Sequence, residues 1–295
     1  MKRNVAKAVF CAALGNILWG FSFLFTRLGL DVAGNPNLLL SHRFLFSTLC
    51  LSFMILIGKG SLSFKGKNLR PIFVLLAMQV CYYLFETYGL LYTNTTIAGL
   101  VLAVVPVVTI GTGVLFLREY PTRRQALFCI MPVAGVIIMT ISGKELGVVT
   151  SLGIFLLLLT MLSSAVYKTA NRKAAREFSP FERTYLVIGI SALFFTVVAL
   201  SALDWDLKAY AAPLVSPQYI LSVVSLGLLC SITANILVNY ASGILSVFQV
   251  SSFGSLCTLC SVLVGVIFLD EPMSIPLALG AVLILVGIRQ VTKQQ

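Results

Sequence analysis

Long apolar runs, broken by short polar clusters, alternate along the whole chain. A membrane-spanning helix needs about 20 mainly apolar residues. By that measure the pattern predicts ten spans, at 8–30, 37–57, 71–92, 95–117, 123–142, 150–169, 184–203, 217–239, 246–268 and 273–291. The breaks carry turn or charge signals: Gly34-Asn35-Pro36, the stretch from Lys59 to Arg70, Thr93-Asn94-Thr95, Ser142-Gly143-Lys144, Ser179-Pro180, and Pro213 with Pro217. The first run follows Lys2, Arg3 and Lys7 and continues to about residue 30. A signal peptide's apolar region is only about 7–15 residues, so this run reads as an uncleaved first span. The pattern predicts an all-α integral membrane protein with both termini on one side.

Composition changes the solvent, not the fold. Hydrophobic residues make up 59% of the chain and charged residues 11%, with a mean hydropathy of +1.00. A soluble domain carries about a quarter charged residues, so the bilayer takes the place of water. The net charge of +11 would suggest a nucleic-acid partner in a soluble protein. Here it follows membrane sidedness instead. With cytoplasmic termini, 17 of the 21 Lys and Arg residues fall on cytoplasmic ends or loops, Lys168 and Arg183 among them. Arg27, Arg43, Lys144 and Lys208 fall on the outer half. That bias obeys the positive-inside rule. The seven cysteines lie inside apolar runs, where a thiol acts as a small hydrophobe. Cys257-x-x-Cys260 lacks further ligands, because the one histidine, His42, sits in a distant segment. Neither a metal nor a cofactor is expected.

The chain repeats itself. Residues 113–135 (GVLFLREYPTRRQALFCIMPVAG) and 265–287 (GVIFLDEPMSIPLALGAVLILVG) share eight identities without a gap, at an offset of 152 residues. Tyr88 maps on Tyr240, and the small pair Gly99/Ala103 on Ser251/Ser255. Small residues four apart let helices approach closely in lipid. Asn35-Pro36 and Ser179-Pro180 open the second helix of each copy. Two units follow, 1–145 and 146–295, each of five spans. Five is odd, so the second copy crosses the membrane inverted. Inverted repeats are a transporter architecture with the substrate near the midplane between the halves. Glu119 and Glu271, at matching points of the two copies, read as structural turns whose carboxylates suit the helix that follows.

Several of these features together resemble the drug/metabolite transporter superfamily, EamA type. They are Leu18-Trp19-Gly20 with Arg27, Pro36 with Arg43, Tyr92-Thr93 through Pro106, and two Phe-Leu-x-Glu turns. The resemblance covers nearly the whole chain. It implies a ten-helix secondary transporter of metabolites, amino acids or drugs, its cavity lined mainly by the first, third, fourth, sixth, eighth and ninth helices. One departure is Thr258, where the second copy usually has a proline.

Among ten acidic residues, Glu86 alone interrupts an apolar run. Charges inside a membrane cost about 2.5–3.5 kcal/mol or more and mark functional cavities. Gln79, Tyr82, Tyr83 and Glu86 recur at three- and four-residue spacing and share one helix face. In the pseudo-equivalent helix Ser231, Asn235 and Asn239 form a second polar stripe. Arg43 lies at the same depth as Glu86, about 9 Å from the outer end of its helix at 1.5 Å per residue. The two either form a static ion pair or hold the ends of a zwitterion. His42, next to Arg43, points to another face and is expected to seek the surface. Trp19, Phe21, Phe23, Tyr82 and Tyr83 are candidates to box a cationic group; Asn16 and Ser22 are polar positions deep in the first span.

No G-x-x-x-x-G-K-[ST] phosphate loop exists, so ATP does not drive the protein directly. H-E-x-x-H is impossible with one histidine, and Gly20-Phe21-Ser22 lacks the following glycine of a nucleophile elbow. A membrane enzyme is therefore disfavoured, and a channel would want a continuous polar path. The leading expectation is a secondary transporter, monomer or dimer, in a bacterial plasma membrane. Its favoured cargo is an amino acid or a similar compound, with Glu86 the candidate proton carrier. Direction of transport stays open.

Overall fold

The computed structural model describes residues 2–92, 101–102, 104–141, 150–268 and 275–292. Gly99, Ala103, Lys144, Glu145, Asp270 and Glu271 lie outside the described residues, as does the start of the fourth predicted span. The regular elements among the described residues are helices: α1 (Lys2–Ala33), α2 (Pro36–Leu56), α3 (Arg70–Leu91), α4 (Val105–Leu117), α5 (Arg123–Ile141), α6 (Ser151–Ala174) and α7 (Pro180–Ser201). A one-turn helix, Leu207–Ala211, precedes an interrupted eighth helix: α8a (Pro217–Ser225), a π stretch (Leu226–Thr233) and α8b (Ala234–Ile244). The ninth is also broken, into α9a (Val247–Ser252) and α9b (Gly254–Phe268), and α10 (Ile275–Thr292) closes the chain. Five of these stretches are long and apolar enough to cross a membrane: Asn4–Ala33, Pro36–Leu56, Ser151–Ala174, Pro180–Ser201 and Pro217–Ile244.

Starts and stops follow local chemistry. Asn35 caps α2 through the N–H of Asn37, and Pro36 occupies the first turn, where its missing N–H costs nothing. Ser179 and Glu182 form a reciprocal capping box on α7. Four sequence boundaries need correction. The first helix begins at Lys2, not 8, the sixth runs to Ala174, not 169, the seventh begins at Pro180, not 184, and the eighth continues to Ile244, not 239. Charge does not stop a helix: the polar residues after 169 stay helical as far as Ala174 and are helical again from Pro180. Arg172 and Lys173 suit the negative end of α6.

The packing repeats itself between halves. α2 lies against α7, with Ser41 opposite Thr196 and Ser52 opposite Tyr185. α5 lies against α10, with Gly135 against Ile284 and Gly287 against Pro132. In both pairs rising numbers on one helix meet falling numbers on the other, so each helix runs antiparallel to its own counterpart. Likewise α1 packs on α8b and α9b as α6 packs on α3 and α4. Loops gather at two ends. At one, Lys67 pairs with Glu182 at 2.7 Å and Glu177 accepts from the Asn68 N–H. At the other, Thr150 donates to the carbonyl of Tyr92. Outward positions such as Leu49, Phe53, Phe73, Leu127 and Leu193 are exposed apolar side chains, as lipid requires.

The α5–α10 crossing depends on absent side chains. A Cβ on Gly135 would stand 2.6 Å from the carbonyl oxygen of Gly280, and one on Gly287 would stand 2.4 Å from Pro132 Cδ. Overpacking of this kind costs about 1–3 kcal/mol. Gly287→Ala is therefore expected to lower thermal stability in detergent by that amount. Gly189→Ala, whose Cβ would meet nothing within 4 Å, should leave it unchanged. Equal melting of both variants and the parent would show that the crossing is not tight.

Candidate functional site

Two polar clusters occupy the interior. The first is built on the π stretch of the eighth helix. Switching between α and π hydrogen bonding leaves carbonyls short of a donor, and buried carbonyls need one. Side chains supply it: Trp19 Nε1 donates to Cys230 O at 2.9 Å, Asn235 Nδ2 to Ser231 O at 2.7 Å and Thr233 Oγ1 to Leu228 O at 2.8 Å. Ser231 is fully buried, and its hydroxyl accepts from Arg43 Nε at 2.7 Å. The Arg43 guanidinium stands 5.3 Å from the centre of the Phe44 ring.

On α3, Tyr82 donates to Glu86 Oε1 at 2.7 Å, one helical turn away, so the two share a face as the spacing requires. Tyr83 packs edge-on against Phe44 and Phe195, with ring centres 5.5 and 5.8 Å apart. Gln79 lies within reach of Tyr83. Glu86, Tyr82 and Tyr83 are each half-buried. Arg43 and Glu86 form no ion pair with each other. The ion pairs among the described residues are Lys67–Glu182 and Arg172–Glu119.

Asn239 belongs elsewhere. It lies eight residues beyond Ser231, about 12 Å along the helix, in a second cluster centred on Arg183. Arg183 is 1% exposed. Its guanidinium donates to Asn171 Oδ1 at 2.6 Å, Ser242 Oγ at 3.0 Å and the carbonyls of Asn171 and Asn239, while Nε finds no partner. Asn239 closes the ring by accepting from Asn171 Nδ2 and donating to Thr184 Oγ1, both at 2.8 Å. None of these acceptors is a carboxylate. The last turns of α6 and α8b, the negative ends of two helix dipoles, surround the cation instead. Next to it Arg172 bridges Glu119 Oε1 and the Ser242 carbonyl, and Glu119 Oε2 accepts from the Val247 N–H.

Three readings of the sequence are corrected here. His42 does not seek the surface. It is 4% exposed, hydrogen-bonded at Nδ1 to the Tyr219 hydroxyl at 2.8 Å, and flanked by Tyr210, because the loop before α8a folds back over α2. Glu119 does not serve the helix that follows it; it caps α9a in the other half. Arg183 and Lys168 are turned inward, not out to a cytoplasmic surface. Asn16 and Ser22 return their polar groups to their own helix, at Ala12 O and Trp19 O. Nothing is described of the Phe23 and Glu271 side chains. Among the described residues no group of His, Cys, Asp or Glu is placed to hold a metal.

Comparison with known proteins decides the family. The EamA-like transporter family matches twice, over residues 6–141 and 151–292. The chain belongs to that family. This EamA-like chain is 31% identical over 292 residues to the uncharacterized transporter YcxC of Bacillus subtilis, covering 98% of this chain and 93% of that one. It is 24% identical over 287 residues to an uncharacterized transporter of Archaeoglobus fulgidus, covering 96% and 98%. One solved crystal structure, 18% identical, superposes with a TM-score of 0.78 over 97% of this chain and 96% of its own, and so has the same fold. Family and relatives together make the chain a membrane transporter of a small substrate, within the drug/metabolite transporter superfamily, and point away from an enzyme. The double match is the two-repeat architecture. Interrupted eighth and ninth helices suit it, since broken helices in transporters line the substrate path.

Proposed function

We propose that this EamA-like protein is a secondary transporter that moves an amino acid or a similar small metabolite across the bacterial plasma membrane by alternating access. Ten spans run as two inverted five-helix repeats, residues 1–145 and 146–295, with both termini cytoplasmic. The antiparallel crossings of α2 with α7 and of α5 with α10 support the inversion. The observation that supports the reading is a pair of opposite charges inside the apolar helices, Glu86 held by Tyr82 and Arg43 held by Ser231 at the π stretch. It offers one anionic and one cationic group to a ligand near the midplane. The cytoplasmic side is closed by the Arg183 cluster, which lies within the second repeat, and by the Glu119–Arg172 bridge, which joins the two halves. Opening that side means breaking them. Protons are the coupling ion.

Two tests apply. Cysteines introduced near Asn68 and Glu177 should react from the cytoplasm, and near Gly34 and Asp206 from outside. Opposite labelling at any two would sink the inverted topology. In proteoliposomes, a carrier shows saturable counterflow of a labelled amino acid with no ohmic current. A current without saturation means a channel, and transport of sugars alone removes the amino-acid reading.

A further inference from the structure

Lys168 is the charged side chain that neither polar cluster explains. It lies on α6 six residues before the helix ends at Ala174, about 9 Å inside at 1.5 Å per residue. A lysine so near a helix end ordinarily extends its ammonium outward to the headgroups. This one turns the other way. Its Nζ donates to Ser251 Oγ at 3.2 Å, on the last turn of α9a, and Ser251 in turn donates to Thr109 Oγ1 on α4 at 3.2 Å. A Cβ on Gly254, the first residue of α9b, would stand 3.7 Å from the ammonium. The amine therefore sits at the break of the ninth helix, beside Gly254.

Its surroundings lead back to Glu86. Cys257, one turn into α9b, lies within electrostatic reach of Lys168, Glu86 and Cys230. Like Glu86, Lys168 is half-buried. Among the described residues no carboxylate pairs with Lys168, and a serine hydroxyl does not neutralise an ammonium. Keeping an unpaired charge in an apolar span is costly, and such residues face substrate. Arg43 likewise rests on a serine hydroxyl, so Lys168 is a second such cation, placed at the break of the ninth helix.

We propose that Lys168 binds the carboxylate of the transported molecule, opposite Glu86, so that the substrate is a carboxylate-bearing metabolite. This rests on the transport reading above and adds to it which residue takes the anionic end. Ser251 and Gly254 are positioning residues that aim the ammonium across the helix break.

The test has two arms that fail independently. In a variant whose only cysteine is Cys257, the space around Lys168 is probed with sulfonatoethyl methanethiosulfonate, an anion, and trimethylammonioethyl methanethiosulfonate, a cation. A charged cleft raises the local concentration of opposite charge by 10-fold or more, so Lys168→Gln should lower the anion-to-cation rate ratio by about 10-fold while Lys168→Arg keeps it. Lys168→Met, of similar shape, replaces the Gln variant if that one does not fold. An unchanged ratio, or no reaction of Cys257 with either reagent, overturns the proposal. The second arm reads thermal stabilisation by L-amino acids and by their carboxamides. Amino acids should stabilise the parent and Lys168→Arg but neither neutral variant, and carboxamides should stabilise none. Equal stabilisation of the parent by a carboxamide overturns the proposal. Stabilisation by no amino acid defeats the amino-acid reading, while the cysteine rates still decide the charge of the site.

Discussion

Arg183→Met is expected to leave little folded protein in the membrane. The guanidinium satisfies Asn171 Oδ1, Ser242 Oγ and two main-chain carbonyls in a site that is almost wholly closed to solvent. Removing it leaves Asn171 Oδ1 without its donor and takes one of the donors from Ser242 Oγ and from the Asn171 and Asn239 carbonyls. Each buried group left without a partner costs about 1–3 kcal/mol, and removing one side of a buried charged network costs about 3–5 kcal/mol. That is a large share of the stability of any single-chain fold. Arg183→Lys keeps the charge but not the fork that reaches Asn171 and Asn239 together, so it should fall between parent and Met. The check is thermal unfolding of detergent-purified protein by size-exclusion recovery. A Met variant as stable as the parent would show that the asparagines find other donors and that the cluster is not a structural joint.

The Arg183 cluster also shows where sequence reading ran out. Arg183 counted as one more cytoplasmic cation, yet the clue was present: it stands in the first turn of a helix opened by Ser179-Pro180, where a cation opposes the dipole. A residue held against that field has another partner. Asn239 was singled out on helical spacing with Ser231 and Asn235, but spacing fixes a face and not a depth. Along eight residues the same face passes from the Arg43 cluster to the Arg183 cluster. The repeat and the helical fold were legible because hydrophobic run length and internal identity survive in one sequence. The interruptions of the helices were not. The eighth helix loosens over Leu226–Thr233 without a proline, and the ninth breaks at Phe253, five residues before Thr258. The carbonyls freed in the eighth are satisfied by side chains from as far away as Trp19, and no local pattern encodes a donor 211 residues distant. Lys168 was hidden the same way, since only tertiary contact with Ser251 turns it inward.

Glu86 carries the central claim. Its carboxylate accepts from Tyr82 and forms no ion pair among the described residues. On the proton-coupling proposal it exchanges a proton with whichever side is open, and so ties substrate movement to a pH gradient. Glu86→Gln keeps the shape and the acceptor oxygen for Tyr82 but abolishes the titration. The decisive measurement compares parent and Glu86→Gln in proteoliposomes, for counterflow of a labelled amino acid and for its accumulation under an imposed pH gradient. The account predicts that both proteins exchange, and that accumulation falls by 10-fold or more in the variant, the order expected when about 1.4 kcal/mol of coupling is lost. Undiminished accumulation by Glu86→Gln would contradict it.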